Sequence, residues 1–246
     1  MAGCSSSSPG RPSAAASSAA PASVPAGCPN PDGGTCVGPL QAGRSCTTSV
    51  FAPAITYVVP EAGWIDEEDL QGNVLLLPPG NTLPDVNAGT SDFIGVYASI
   101  APARFTALPS CATESVVEVA DTPNAFAAWL GRQKDVSATS PVPVSVGGLR
   151  GLRIDLSVKP RAALARCTDD ESGDPVRYRP ILTGEGASSL DHGLIADLTM
   201  RLHLLAWKQG VLAIEVDDVE KAPGTLTSPS AVAETLRFAD PGSGNG

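Results

Sequence analysis

The sequence predicts an α+β domain in which two short helices pack on a central antiparallel sheet of about eight strands built from hairpins. Three observations predict this class. Apolar and polar residues alternate at every second position in several segments, as they do in half-buried strands. Glycine-containing turns join neighbouring segments, which is typical of hairpins. Two further segments carry the apolar spacing and the capping residues of helices.

The clearest hairpin is predicted within residues 142–158. Apolar residues alternate with other residues along Val142–Val146 and again along Leu152–Val158, on either side of Gly147-Gly148. A second hairpin is predicted to pair Leu198–Trp207 with Val211–Val216 across a Lys-Gln-Gly turn. Each strand of these hairpins would place one apolar face on the core.

The remaining elements are shorter. Further strands are predicted at 54–60, 74–77, 93–100 and 178–183. Thr122-Pro123 begins a helix that we expect to end at Gly131, because threonine caps a helix start and proline suits its first turn. Ser228-Pro229 repeats this device, and we expect a second helix to continue to Phe238.

The chain divides into three parts. From Ser5 to Gly27, every residue except Arg11 and Val24 is Ser, Ala, Pro or Gly, a composition that cannot form a packed core. We therefore predict a disordered tether over residues 1–43, one α+β domain over 44–240, and a disordered tail over 241–246.

The opening Ala2-Gly3-Cys4 predicts a lipid anchor. Bacterial lipoproteins are cleaved before a cysteine that follows small residues, and that cysteine is then lipidated. We expect Met1 to lie within a longer signal peptide, and the protein to be held on the outer face of the cell membrane through Cys4. The alternative is a chance tripeptide at a low-complexity terminus.

The other five cysteines favour disulfides in an exported protein, since none is arranged as C-x-x-C. We expect Cys111 to pair with Cys167 and, across a Pro/Asp/Gly turn, Cys28 to pair with Cys36. This pairing would leave Cys46 over. Other connectivities stay open, because spacing alone does not fix them.

Charge excludes some partners. The formal net charge is −10 and no block of Lys or Arg occurs, so binding to nucleic acid or to an anionic lipid surface is not expected. No apolar run reaches the roughly 20 residues that span a bilayer. We expect the membrane contact to be the lipid anchor, with an envelope protein or ligand as a further partner.

No familiar catalytic motif occurs, and we predict no catalytic residue, no cofactor and no metal ligand. The two histidines are interpreted individually. His203 would lie on the polar face of a strand, at the surface or partly buried. A triad of Ser189, Asp191 and His192 is disfavoured, because triad members rarely come from such close neighbours.

Two acidic segments, 66–69 and 169–174, could be considered for calcium, but neither has the spacing of an EF-hand. Acidic segments of an acidic protein are usually solvated loops, and this is the interpretation that we expect to hold.

The segments "YVVPEAGW", "VSVGGLRGLRIDL" and "AETLRF" resemble those of a group of actinobacterial cell-envelope lipoproteins, which are similar in turn to PsbP-like domains. The resemblance covers residues 44–240 and implies a central antiparallel sheet with helices against it. It brings no catalytic residues. The "EAGW" turn is longer than the Gly-Trp form of the group, and Cys46 stands where an aromatic residue is common.

Together these observations predict a noncatalytic, membrane-anchored lipoprotein that binds an envelope partner or ligand. Two alternatives are a carrier of an apolar small molecule, which would need a deep apolar pocket, and an envelope enzyme, which would need a cleft with convergent groups of shifted pKa.

Overall fold

The computed structural model describes residues 3–5, 38–87, 91–168, 173, 175–184, 190–208, 210–219 and 227–239. The first elements in chain order are β1 (Gly3–Ser5), β2 (Gly38–Pro39), β3 (Ser45–Thr47), β4 (Ile55–Val58), β5 (Ile65–Asp69), β6 (Asn73–Leu77), α1 (Leu83–Asn87), β7 (Phe93–Phe105), β8 (Thr113–Ser115) and α2 (Pro123–Leu130). They are followed by β9 (Val136–Ala138), β10 (Val142–Val146), β11 (Leu149–Val158), β12 (Arg166–Thr168), β13 (Pro175–Arg177), β14 (Arg179–Gly184), β15 (Leu190–Leu194), β16 (Thr199–Trp207), β17 (Gly210–Asp218), α3 (Thr227–Thr235) and β18 (Arg237–Phe238).

One large antiparallel sheet organises the fold. Its strands run in the order β10-β11-β16-β17-β7-β6-β5-β2. The long strand β7 also pairs with β14 and β8, and β15 pairs with the far side of β14. A smaller sheet has the order β1-β3-β4-β18, and β12 and β13 form a separate two-stranded ribbon.

One face of the large sheet packs on the smaller sheet and on α3. Val96 and Ile214 project from this face, where they share a buried cluster with Ile55 of β4 and Leu236 after α3. All four side chains are fully buried. Within each strand, every second residue points to the same side of the sheet, so the strand residues of this cluster share one face.

The opposite face packs on α2 and on the β14–β15 hairpin. Ile154 and Leu202 project from it and share a second cluster with Phe126 and Leu130 of α2 and with Leu194 of β15. Both faces of the central strands are therefore covered, and polar residues placed there become buried.

The α+β class, the large antiparallel sheet and the two main helices are confirmed. The expected count of about eight strands is wrong, since the described residues contain eighteen. Most of the additional strands have only two or three residues, too few for an alternating pattern to be recognisable.

Both predicted hairpins form. Val142–Val146 pairs with Leu149–Arg153 across Gly147-Gly148, and β16 pairs with β17 along its whole length. Each of the two turn glycines has a positive φ, which glycine adopts without steric cost.

The two main helices differ in how closely they match expectation. Thr122 caps α2, its Oγ1 accepting a hydrogen bond from the Ala125 N–H at 3.3 Å. The second helix ends at Thr235 instead of Phe238. Arg237 and Phe238 pair with β4, because a β-strand partner is available there and the apolar Phe238 packs against the core.

Two parts of the predicted tether are described. Residues 38–43 belong to the fold, because β2 pairs with β5 and Leu40 is buried, so the structured part begins before residue 44. Gly3–Ser5 pairs with Ser45–Thr47, with Cys4 opposite Cys46 in the register. The rest of the predicted tether up to residue 37 and the predicted tail at 241–246 lie outside the described residues.

Candidate functional site

The candidate site begins at an irregularity in β7. Tyr97 is paired with Ala213 and Ile100 with Val211, so Ala98 and Ser99 together face the single residue Leu212. Ser99 has φ +58°. This is a β-bulge, a feature that often lies beside functional sites.

On its other side, β7 changes partner at the same place. Strand β6 pairs with β7 as far as Tyr97, and β14 pairs with it from Ile100 onward. The Ala98 N–H donates to the Gly72 carbonyl at 3.0 Å, just before β6 begins. Between the ends of β6 and β14 the two strands leave a gap.

An open groove of about 1030 Å³ lies at this gap. Its polar lining comes from Gln71, Ser99, Ser115, Asp121, Thr183 and Lys208, and its apolar lining from Ala52, Ala98, Ile100, Ala101 and Trp207. The Lys208 ammonium lies 5.5 Å from the centre of the Trp207 ring, a cation–π contact that holds this cation at the groove.

A second group of polar side chains is buried beside the groove, where β15 covers β7 and β17. His192 Nδ1 lies 2.9 Å from Glu215 Oε2 and 3.3 Å from the Tyr97 hydroxyl. The imidazole also packs on the Tyr97 and Phe93 rings, with centroid distances of 4.7 and 5.8 Å. Three strands thus contribute to one network.

His192 Nδ1 and Glu215 Oε2 are separated by an ion-pair distance, and the contact becomes a charge interaction when the imidazole is protonated. Glu215 is fully removed from solvent, whereas the His192 side chain is 22% exposed. The imidazole can therefore exchange protons with water, and the carboxylate cannot do so directly.

Burial and neighbouring charges change the acidity of this network. Burial raises the pKa of the Asp217 carboxyl well above its usual range, and the nearby charge of Glu215 raises it further. Burial, followed by the charges of Glu215 and Asp217, raises the pKa of Tyr97 in the same way. The Asp217 carboxyl therefore binds its proton more tightly than an exposed aspartate does.

The acidic run at 66–69 forms β5, and its interpretation as a solvated loop is wrong. All four side chains are at most 4% exposed, because β5 pairs with β6 and β2 and both of its faces are covered. Asp69 accepts the backbone N–H groups of Ser49 and Phe51, and Asp66 accepts the Tyr57 hydroxyl at 2.5 Å.

These buried acids serve different parts of the fold. Glu68 accepts a hydrogen bond from Asn73 at 2.5 Å, and burial raises the pKa of Asp66 well above its usual range. Among the described residues, no group of three or more His, Cys, Asp or Glu side chains is arranged to hold a metal ion. The other acidic segment, 169–174, lies outside the described residues except for Gly173.

The predicted bond between Cys111 and Cys167 is present, with the two Cα atoms 5.0 Å apart. Cys28 and Cys36 lie outside the described residues. Cys46 is disulfide-bonded, so the expectation that it would be left over is wrong. It is fully buried on β3, in the strand that pairs with the segment containing Cys4.

His203 is more buried than expected, with 5% of it exposed. Burial and the charges of Arg201 and Arg153 lower its pKa to about 4, so the imidazole is neutral at physiological pH. It lies on the face that α3 covers, next to Arg201, whose guanidinium pairs with Asp155 at 2.7 and 2.8 Å.

The network around His192 was not expected. Ser189 lies outside the described residues, and the described partners of His192 come from β7 and β17 instead of from its sequence neighbours. Glu215 and Asp217 alternate with apolar residues, as the solvent-facing residues of a strand do. Sequence periodicity cannot distinguish this pattern from a face that a second layer covers.

Within the part of the chain that the structure describes, no helix is long and apolar enough to span a membrane. No family model matches the chain, and a search of curated proteins finds no significant match.

Proposed function

We propose that this protein is a lipid-anchored, extracytoplasmic binding protein whose ligand occupies the groove at the β7 bulge. The observation that carries the proposal is the groove itself. It is built into the central strand of the sheet, where β6 and β14 leave β7 uncovered beside Ser99.

The groove lining favours binding over catalysis. Its described ionisable groups are Asp121 and Lys208, while the groups of strongly shifted pKa lie outside the groove lining, in the buried network, in β5 and at Tyr57 and His203. Hydroxyl and amide groups alternate with small apolar side chains, which suits a ligand of mixed polarity. This lining gives less support to a carrier of purely apolar molecules.

Export is proposed from Ala2-Gly3-Cys4, from the Ser/Ala/Pro/Gly segment that follows and from the disulfide between Cys111 and Cys167. Disulfides persist in oxidising compartments outside the cytoplasm. A domain carried on an acylated cysteine would present the groove to molecules of the cell envelope.

A crosslinking experiment tests the groove. A photoreactive amino acid placed at Ser115, which lines the groove, should crosslink to a defined envelope component in the producing cell. The matched control is Val117, two residues away, 81% exposed and outside the groove lining. We expect a specific product from position 115 that the control does not give. Identical products from both positions, or none from position 115, would contradict the proposal.

A further inference from the structure

The β14–β15 hairpin links the groove to the buried network. Thr183 and Gly184 of β14 form part of the groove wall. His192 of β15 lies directly opposite Leu182 in the register, next to those two residues. A movement of this hairpin would therefore change the shape of the groove.

The hairpin is joined to the large sheet by a short interface. Strand β14 pairs with β7 at three positions only, which are Leu182 with Pro102, Thr183 with Ala101 and Gly184 with Ile100. Strand β14 is also anchored by Ile181 and Leu182, which are fully buried in the core beside α2. Strand β15 packs on the sheet through the buried side chain of Leu194 and through the contacts of His192 with Tyr97 and Glu215. The His192 contacts therefore bear on β15 and not on β14.

The ionisable groups around His192 and Glu215 are all acidic. The ionisable groups that face the pair or act on its neighbours are Glu68 on β5, Asp92 before β7, Tyr97 on β7, and Asp217 and Asp218 on β17. All of them are acids. Among the described residues, His192 is the basic side chain in ion-pair contact with Glu215.

A buried carboxylate is costly unless a positive charge compensates it. A protonated imidazole supplies that charge, and its Nδ1–H faces the carboxylate. A neutral imidazole can still accept a hydrogen bond from the Tyr97 hydroxyl, but it leaves the Glu215 charge uncompensated.

We propose that protonation of His192 fastens β15 to the sheet, so that the strand paired with the groove-lining residues Thr183 and Gly184 is ordered at mildly acidic pH and loosens as the pH rises. The consequence for ligand binding rests on the proposed function of the groove, whereas the pH-dependent docking of β15 is independent of that function.

Proton linkage gives the direction of the pH dependence. Because docked β15 favours protonated His192, the free energy of docking is fully present below the pH at which a free histidine titrates. This free energy is lost as the pH rises through the protonation midpoint of His192 in the docked state.

The test uses the intact chain and the fact that it contains only two histidines. Imidazole nitrogen NMR of ¹⁵N-histidine-labelled protein gives two resolvable titrations, and His203→Gln assigns them. We expect the protonation midpoint of His192 to fall by about one pH unit, a tenfold change in proton affinity, in Glu215→Gln. Glu61→Gln, which removes an exposed carboxylate, is the matched control.

Hydrogen exchange measures the docking of β15 directly. After correction for intrinsic rates, we expect the protection of residues 190–194 to fall at least fivefold between pH 5.5 and 8 in the wild-type chain. Peptides from β16 and β17 should not change. In His192→Gln, β15 should be weakly protected at both pH values.

Each result has a separate meaning. A midpoint of His192 that Glu215→Gln leaves unchanged would overturn the pairing, and wild-type protection that is independent of pH would overturn the switch. If the His192–Glu215 pairing and the pH dependence are found while crosslinking at Ser115 fails, the pH-dependent docking is supported and the proposed function of the groove is contradicted.

Discussion

At the scale of single residues, Gly95 shows how the buried network is accommodated. It lies opposite Glu215 on one side and Leu75 on the other, and Tyr97 folds back over it. A Cβ atom built at Gly95 would lie 1.8 Å from the Tyr97 hydroxyl oxygen. The absent side chain therefore makes the space in which the Tyr97 hydroxyl reaches His192.

Gly95→Ala should destabilise the protein, because Tyr97 would have to leave its position in a fully buried site. We expect a loss of about 1–3 kcal/mol, the usual cost of overpacking. Gly210→Ala is the matched control, since a Cβ at Gly210 meets nothing within 4 Å, and its effect should stay within about 0.5 kcal/mol. Urea unfolding monitored by tryptophan fluorescence measures both. Equal effects would contradict this account of Gly95.

At the scale of elements, the disulfide fastens the β12–β13 ribbon to the segment before β8. The same connection is supported by backbone hydrogen bonds between Thr168 and residues 109 and 111, and by the Tyr178 hydroxyl, which donates to the Cys111 carbonyl at 2.8 Å. The ribbon has no other strand partner among the described residues.

Replacing both Cys111 and Cys167 by alanine should lower the free energy of unfolding. The bridge joins residues 56 positions apart, and the loss of that constraint on the unfolded chain corresponds to about 4 kcal/mol. Guanidinium unfolding of the oxidised variant and wild-type proteins checks the value. The Cys46 bridge is intact in both, so it cancels in the comparison. A loss below about 1 kcal/mol would show that the hydrogen bonds alone hold the ribbon.

At the scale of the whole molecule, the proposed lipid anchor at Cys4 predicts a signal peptide in the gene. An in-frame apolar segment preceded by Lys or Arg should lie upstream of Met1. With that segment restored, the product should enter the detergent phase in a phase-partition assay and incorporate labelled fatty acid, because two acyl chains hold a protein on a membrane stably. Cys4→Ser should abolish both signals, and Cys28→Ser should abolish neither.

The disulfide partner of Cys46 gives an independent check of the anchor. Cys4 lies opposite Cys46 in the register, and a thiol cannot be both acylated and disulfide-bonded. Nonreducing peptide mapping of the native protein identifies the partner. A peptide that links Cys46 to Cys4 would contradict the anchor proposal, whereas a link to Cys28 or Cys36 would agree with it and would replace the predicted Cys28–Cys36 pair.

The sequence alone predicted the strands and helices that a pattern of neighbouring residues specifies. Alternation located the 142–158 and 198–216 hairpins, and the capping threonine located the start of α2. These predictions succeeded because side-chain periodicity and capping depend on residues close in sequence.

Only the tertiary structure decided which polar residues are buried and what they contact. Glu215 and Asp66 have the sequence pattern of exposed residues, yet a second layer covers each of them. The groove arises from strands far apart in the chain, since β6, β7, β14 and the β16–β17 turn meet there. Periodicity specifies the two faces of a strand, but whether solvent or another layer meets a face depends on long-range packing, which no local pattern contains.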